Sequence, residues 1–244
     1  MKSILITGAS SGIGAACARA FAAAGWHVGA MARRQQPLED LATEHASIDP
    51  IVGDVTDLEA VENAVAQTAA KSGRLDVLFN NAGIFTPAGP IDEVDIEDWH
   101  KAVGVNLTGM FYAARAAFGQ MRHQSPQGGR IINNGSVSAH VPRPGAVTYT
   151  TTKHAITGLT RQLSLDGRAF DIACGQIDIG NALTPMVQAM NDKLLAEDAN
   201  AELQPSMSVD DAVTSVLHMA DLPINANVQF MTVMATKMPY IGRG

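Results

Sequence analysis

Short apolar runs alternate along this chain with longer stretches whose apolar residues recur at helical spacing. Ser3-Ile4-Leu5-Ile6 has the pattern of a buried strand, and Ile13 to Ala24 that of a helix closed near Gly25. His27 to Ala32 reads as a second strand and Ile51-Val52 as a short third. Leu58 to Ser72 follows as a helix, with Val61 and Val65 four apart and Gly73 as its stop. Leu75 to Phe79 is a strand ending in Asn80-Asn81, and Ile96 to Met121 one long helical region. Beyond these lie a strand at Arg130 to Asn133, a helix at Tyr149 to Gly167 and a strand at Asp171 to Ile177. A helix at Val209 to Ala220 and a last strand at Phe230 to Ala235 complete the series. Apolar strands alternating with helices predict a single doubly wound α/β domain over 1–244. Its sheet is mostly parallel, of about seven strands, and is covered by helices on both faces. The rhythm breaks once, from Gly180 to Met207. This polar segment contains Met186, Met190 and two prolines, and such an excursion predicts a lid over a ligand.

Composition narrows the class. Of the 244 residues, 46% are hydrophobic and 17% charged, which excludes a disordered chain. Seventeen Lys plus Arg against 24 Asp plus Glu give a net charge of −7, the wrong sign for nucleic acid or an anionic membrane surface. No apolar run reaches the roughly 20 residues of a membrane span. Cys17 and Cys174 cannot make a disulfide framework, which fits a reducing cytoplasm. The seven histidines form no HExxH or similar pair, so no metal site is expected.

The candidate chemistry begins at Thr7-Gly8-Ala9-Ser10-Ser11-Gly12-Ile13-Gly14, between the first strand and the first helix. Glycines there let a pyrophosphate approach backbone N–H groups at the positive end of a helix. No Lys-Ser/Thr pair follows, which excludes the mononucleotide P-loop. The second strand ends in Ala32-Arg33-Arg34, where a 2′-hydroxyl site would carry an acid. Two guanidinium groups suit a 2′-phosphate, so the loop predicts a dinucleotide and Arg33-Arg34 predict NADP(H).

Tyr149 and Lys153 are four apart on one helix face. An ammonium about 4 Å from a phenol favours the phenolate by roughly 4 kcal/mol at an effective dielectric of about 20. Lys153 is therefore expected to draw the Tyr149 pKa down and make it a proton carrier near neutrality. Ser136 follows the Arg130 to Asn133 strand, at the sheet end where ligands bind, and its hydroxyl is placed to bond a substrate oxygen.

With these motifs in order, the whole chain resembles the classical short-chain dehydrogenase/reductase family, a Rossmann-type fold. Residues 7–14 look like its TGxxxGIG loop, Asn80-Asn81-Ala82-Gly83 like its NNAG motif, and Ser136, Tyr149 and Lys153 like its serine and YxxxK pair. Asn106 stands where the family has a catalytic asparagine, and Asp54-Val55 where it contacts the adenine. Ile179-Gly180-Asn181-Ala182-Leu183-Thr184 resembles the family's PGxVxT, with Ile179 in place of proline. The resemblance implies that Tyr149 gives its proton to a carbonyl oxygen, Ser136 orients that oxygen and Lys153 binds the nicotinamide ribose. It implies that Asn106 holds a water linking Lys153 to solvent, and that Thr184 contacts the carboxamide. Asn81, Ala82 and Gly83 would line the cofactor. The implied function is interconversion of a small-molecule carbonyl and a secondary alcohol by a homodimer or homotetramer. The segments 96–121 and 149–167 would form the main interface, with the 238–244 tail near a subunit contact.

Other expectations are narrower. A non-catalytic NADP(H)-binding or redox-sensing protein on the same fold is the alternative, against which the intact Asn106, Ser136, Tyr149 and Lys153 set speaks. An extended sugar-nucleotide epimerase would need GxxGxxG and an acid after the second strand. A serine hydrolase would need a GxSxG frame around Ser136. His140, close after Ser136, reads as a bland loop histidine ahead of a pocket-lining one, and Cys17 as a packed core residue. Leu183, Met186, Val187 and Met190, with Phe85, Pro87, Val141 and Pro142, suggest an apolar flank for the substrate.

Overall fold

The computed structural model describes residues 1–199 and 201–241. Asn200, Gly242, Arg243 and Gly244 lie outside the described residues, as do the side chains of Met186 and Met190, so those expected parts of the lid and tail do too. The chain runs β1 (Ser3–Thr7), α1 (Gly12–Ala23), β2 (His27–Ala32), α2 (Gln35–Glu44), β3 (Ile48–Val52), α3 (Leu58–Ser72) and β4 (Val77–Asn80). It continues through α4 (Ile96–Val103), α5 (Met110–His123), β5 (Gly129–Asn134), α6 (Val147–Gly167), β6 (Ile172–Ile179), α7 (Pro185–Glu197), α8 (Val209–Asp221) and β7 (Phe230–Val233).

The strands form one seven-stranded sheet in the order β3-β2-β1-β4-β5-β6-β7. Every pairing is parallel. Buried strands of this kind read as continuous apolar runs because helices cover both faces. β1 shows the alternation directly. Ile4 and Ile6 pack into one core with Phe21, Trp26 and Val216, while Leu5 points into the other with Val61, Ala113 and Met121. α3 has complete end signals. Asp57 accepts from the N–H groups of Glu59 and Ala60 at its start, and Gly73 closes it at φ 82°.

Winding reverses between β1 and β4, and the crevice there opens at the strand C-termini, the ligand position of such sheets. Two expectations need correction. The loop after β2 contains an unforeseen helix, α2, which anchors only Leu38 and Leu41 in the core. The long helical region is interrupted: a π-helical segment, Gly104–Gly109, separates α4 from α5. Asn80 pins this break by donating its amide to the Met110 carbonyl at 2.7 Å.

Candidate functional site

β1 ends at Thr7, whose buried hydroxyl accepts the N–H groups of Asn81 at 2.9 Å and Ala82 at 3.0 Å. The ends of β1 and β4 are thereby tied together. The Asn81 amide donates back to the Thr7 carbonyl at 2.9 Å, and Asn134 donates to the Asn81 carboxamide oxygen at 2.9 Å. Lys153 Nζ then donates to the Asn134 carbonyl at 2.7 Å. One polar chain therefore runs from the glycine loop to α6.

The loop itself is a cradle with bare backbone at Gly8, Gly12 and Gly14. Gly8 has φ 69° and Gly12 φ 56°. A Cβ on Gly14 would collide with the Gly8 carbonyl oxygen and lie 2.7 Å from Asn81 Nδ2. Ser11 caps α1 without a side-chain hydrogen bond, leaving the helix start open toward the crevice. Arg34 Nη2 donates to Ser10 Oγ at 3.0 Å, and Arg33 Nη1 lies 3.9 Å from Asp54 Oδ2. Asp54 also accepts from the Thr56 N–H and hydroxyl, both at 2.9 Å, and this holds the turn with Val55 after β3. Open glycine backbone, a helix start and two guanidinium groups at one mouth fit a dinucleotide.

On α6, Tyr149 and Lys153 do come to one face. Lys153 is buried, with Nζ 5.4 Å from the Tyr149 ring centroid. The expected lowering of the Tyr149 pKa is not found. Burial pushes the phenol up, the Ser136 hydroxyl and the Arg143 charge oppose this in part, and Asp178 adds to the rise. Burial pushes the Lys153 ammonium down to about 8, against the pull of Asp178.

Ser136 is brought beside Tyr149, and its hydroxyl oxygen accepts the Ser138 N–H at 3.1 Å. Asn106 lies in the π segment and is fully buried. Its carboxamide grips the Ile84 backbone at both ends, accepting from N–H at 2.7 Å and donating to C=O at 2.9 Å. The space over Gly83 brings Asn106 Oδ1 and Lys153 Nζ together, at 3.5 and 4.0 Å from where a Cβ would stand. Thr184 caps α7 by accepting the Val187 N–H, and its methyl group lies 3.5 Å from where a Gly12 Cβ would stand. The segment that opens with Gly180 closes on itself: Leu183 N–H donates to Met207 C=O at 3.0 Å and Met207 N–H to Asn181 C=O at 2.9 Å. Ile179, in the family's proline position, continues β6 and pairs with Val233.

Phe85, expected at the substrate's apolar flank, stacks on Tyr149 with centroids 4.1 Å apart. Other contacts at the site were not foreseen. Arg143 donates to Asn181 Oδ1 at 3.0 Å. His140 is not a bland loop residue, because its Nε2 lies 2.8 Å from the buried carboxylate of Asp178. The one signal for this pair was an acidic residue between two isoleucines of a buried strand. Cys17, by contrast, is fully buried as expected. Among the described residues no helix is long and apolar enough to cross a membrane, and no group of three or more metal-ligating side chains occurs.

Comparison with known proteins gives consistent matches. A family profile described as short chain dehydrogenase matches residues 2–195. Sulfoacetaldehyde reductase 2 of Chromohalobacter salexigens is 30% identical over 242 residues, covering 97% of this chain and 95% of that protein. The 2-(R)-hydroxypropyl-CoM dehydrogenase of Xanthobacter autotrophicus is 36% identical over 222 residues, covering 86% and 88%. A solved closed form of serine dehydrogenase complexed with NADP+ superimposes with a TM-score of 0.88 at 26% identity, covering 99% and 98%.

Proposed function

The chain belongs to the short-chain dehydrogenase/reductase family of oxidoreductases, and on that premise we propose an NADP(H)-dependent enzyme that interconverts a small-molecule carbonyl and a secondary alcohol. The observation that carries the reading is the meeting of Tyr149, Lys153 and Ser136 beside the glycine cradle. A single domain over 1–244 holds the site, with 180–207 as its lid. The N–H groups of Gly8, Ser10, Ser11, Gly12, Ile13 and Gly14 would hold the pyrophosphate, and Arg33 and Arg34 the 2′-phosphate. Asp54 and Val55 would border the adenine. Asn81, Ala82, Gly83, Tyr149, Lys153 and Thr184 would surround the nicotinamide riboside.

The bound nicotinamide supplies or accepts the hydride. In the reducing direction Tyr149 donates the proton from its hydroxyl to the carbonyl oxygen as negative charge develops there. Ser136 donates a hydrogen bond to the same oxygen, in a site where such a bond is strongest. Burial keeps Tyr149 protonated and ready to donate. Lys153, with one proton committed to Asn134, replaces the proton Tyr149 has given up. Asn106 would hold the water that refills Lys153. Phe85, stacked on the phenol, gives the substrate an apolar wall. The reading takes the protein to work in the cytoplasm, as a homodimer or homotetramer through α4, α5 and α6, where Phe111 and Leu165 stand exposed.

The sign of the pH dependence follows from Lys153. Its ammonium is present below about 8 and lost above it. Reductive kcat is therefore expected to fall as pH rises through that value, measured as the pH profile of NADPH consumption with a saturating ketone.

Fluorescence titration with NADPH and NADH tests the cofactor. NADPH is expected to bind about tenfold or more tightly, a difference of about 1.4 kcal/mol. Replacing both Arg33 and Arg34 by Ala should remove that preference and leave NADH binding unchanged. Equal affinities in the unaltered protein would overturn the 2′-phosphate assignment. Failure to bind either cofactor would favour neither catalysis nor sensing and would sink the whole reading.

A further inference from the structure

The chemistry above gives no task to the carboxylate of Asp178. It lies on β6 with no exposure to solvent, directly behind Ser136. Oδ1 accepts the Ser136 backbone N–H at 2.8 Å and Gln176 Nε2 at 2.7 Å. Oδ2 is 2.8 Å from His140 Nε2. Gln176 is itself fixed, donating to Thr157 Oγ1 and accepting from Thr160 Oγ1, both at 3.1 Å. Gly135 makes the space, since any Cβ there would collide with Asp178 Oδ1. The neighbouring strand positions are apolar: Ile172, Cys174, Ile177 and Ile179 are all buried. A buried charge is expensive even when well bonded, and an apolar residue of similar volume is often the more stable choice. A carboxylate surrounded this deliberately, against the proposed reacting groups, calls for a role in the reaction.

We propose that Asp178, bonded by His140, is a positioning residue: it fixes Ser136 through its N–H and sets one buried negative charge against Tyr149 and Lys153. The proposal rests on the assignment of Tyr149 as the acid. The charged and titratable groups facing this carboxylate are Tyr149 and Lys153 on α6 and His140 in the turn after β5, while Arg143, before α6, acts on Tyr149. A negative charge there disfavours the phenolate and favours the ammonium, so both proton donors stay loaded. His140 moderates the effect. Its side chain is 39% exposed against 1% for Asp178, and it carries the carboxylate's only contact with a solvent-facing group among those bonds.

Two variants separate positioning from mere packing. Asp178→Asn keeps an oxygen for the Ser136 and Gln176 donors and removes the charge. His140→Ala removes a donor from the carboxylate and leaves its charge less compensated. The readout is near-ultraviolet absorbance of phenolate against pH, each variant compared with its own Tyr149→Phe partner to isolate Tyr149 from Tyr112 and Tyr240. No substrate is needed. In Asp178→Asn the Tyr149 phenolate is expected at lower pH, by about one pH unit. In His140→Ala it is expected at higher pH. The pH at which reductive kcat falls should move in the same two directions. A folded Asp178→Asn protein whose phenolate titration is unmoved overturns the proposal, as does a shift of the same sign in both variants. Should Asp178→Asn fail to fold by circular dichroism, the upward shift in His140→Ala, or its absence, decides. Full turnover by Tyr149→Phe would instead remove the assignment of the acid, a result these titrations do not mimic.

Discussion

Tyr149→Phe is expected to lower kcat by about 10³-fold and to leave NADPH affinity within about threefold of the unaltered protein. The substitution removes one oxygen and little else. The ring stacked on Phe85 at 4.1 Å stays, and so does the Lys153 ammonium held by Asn134. Folding should be unaffected, because among the described residues the phenol's one hydrogen-bond partner is Ser136. The cofactor loses at most one ribose contact. The measurement is steady-state NADPH consumption beside a fluorescence titration on the same preparation. Loss of turnover with binding intact places Tyr149 in the proton transfer. Loss of both would mean that the ring, not the hydroxyl, organises the site. Retained turnover would mean that the proton comes from another group, and it would remove the enzymatic role given to the Ser136–Tyr149–Lys153 set.

Gly14→Ala is expected to weaken NADPH binding by about 100-fold, or about 2.7 kcal/mol. The added Cβ meets the Gly8 carbonyl oxygen, and lies 2.9 Å from its carbon and 2.7 Å from Asn81 Nδ2. Two of these atoms are backbone, so no rotamer change relieves the contact. Either α1 retreats or the loop lifts, and both move the N–H groups away from the phosphates. Overpacking of this kind costs roughly 1–3 kcal/mol of stability, or a melting temperature lower by about 2–4 °C per kcal/mol in a domain of this size. Melting without cofactor measures the first effect, and titration at a temperature where the variant is fully folded measures the second. Unchanged affinity in the folded variant would show that residues 8–14 do not carry the pyrophosphate.

The sheet was legible because each strand is short, apolar and closed by a turn residue, as in Ile4-Leu5-Ile6 before Gly8. α3 is legible through Val61 and Val65 four apart and its stop at Gly73, and the structure adds the Asp57 cap at its start. α2 leaves little mark in the sequence because it buries only Leu38 and Leu41. The π segment was missed because one extra residue per turn leaves no mark in a helical pattern that remains apolar on one side. At the proposed site, motif spacing marks Ser136, Tyr149 and Lys153, whereas nothing in the sequence marks Asp178 and His140 as a pair. They are 38 positions apart, and neither signals the other until β6 lies beside β5. The direction of the Tyr149 shift was misjudged for a related reason. Spacing gives the neighbouring charge, but the loss of water depends on everything packed around the phenol.

The self-closing neck at Asn181–Leu183 and Met207 has an evolutionary consequence. Both ends of the excursion are fastened to each other before the chain enters α8, so the sheet does not register what lies between them. With 180–207 as the proposed lid, insertions, deletions or exchanges confined to 185–205 would alter the substrate's surroundings and leave Gly180, Thr184 and the β6–β7 register in place. Selection for a new substrate could then act on a detachable cassette, while the proposed machinery for moving protons would be inherited whole.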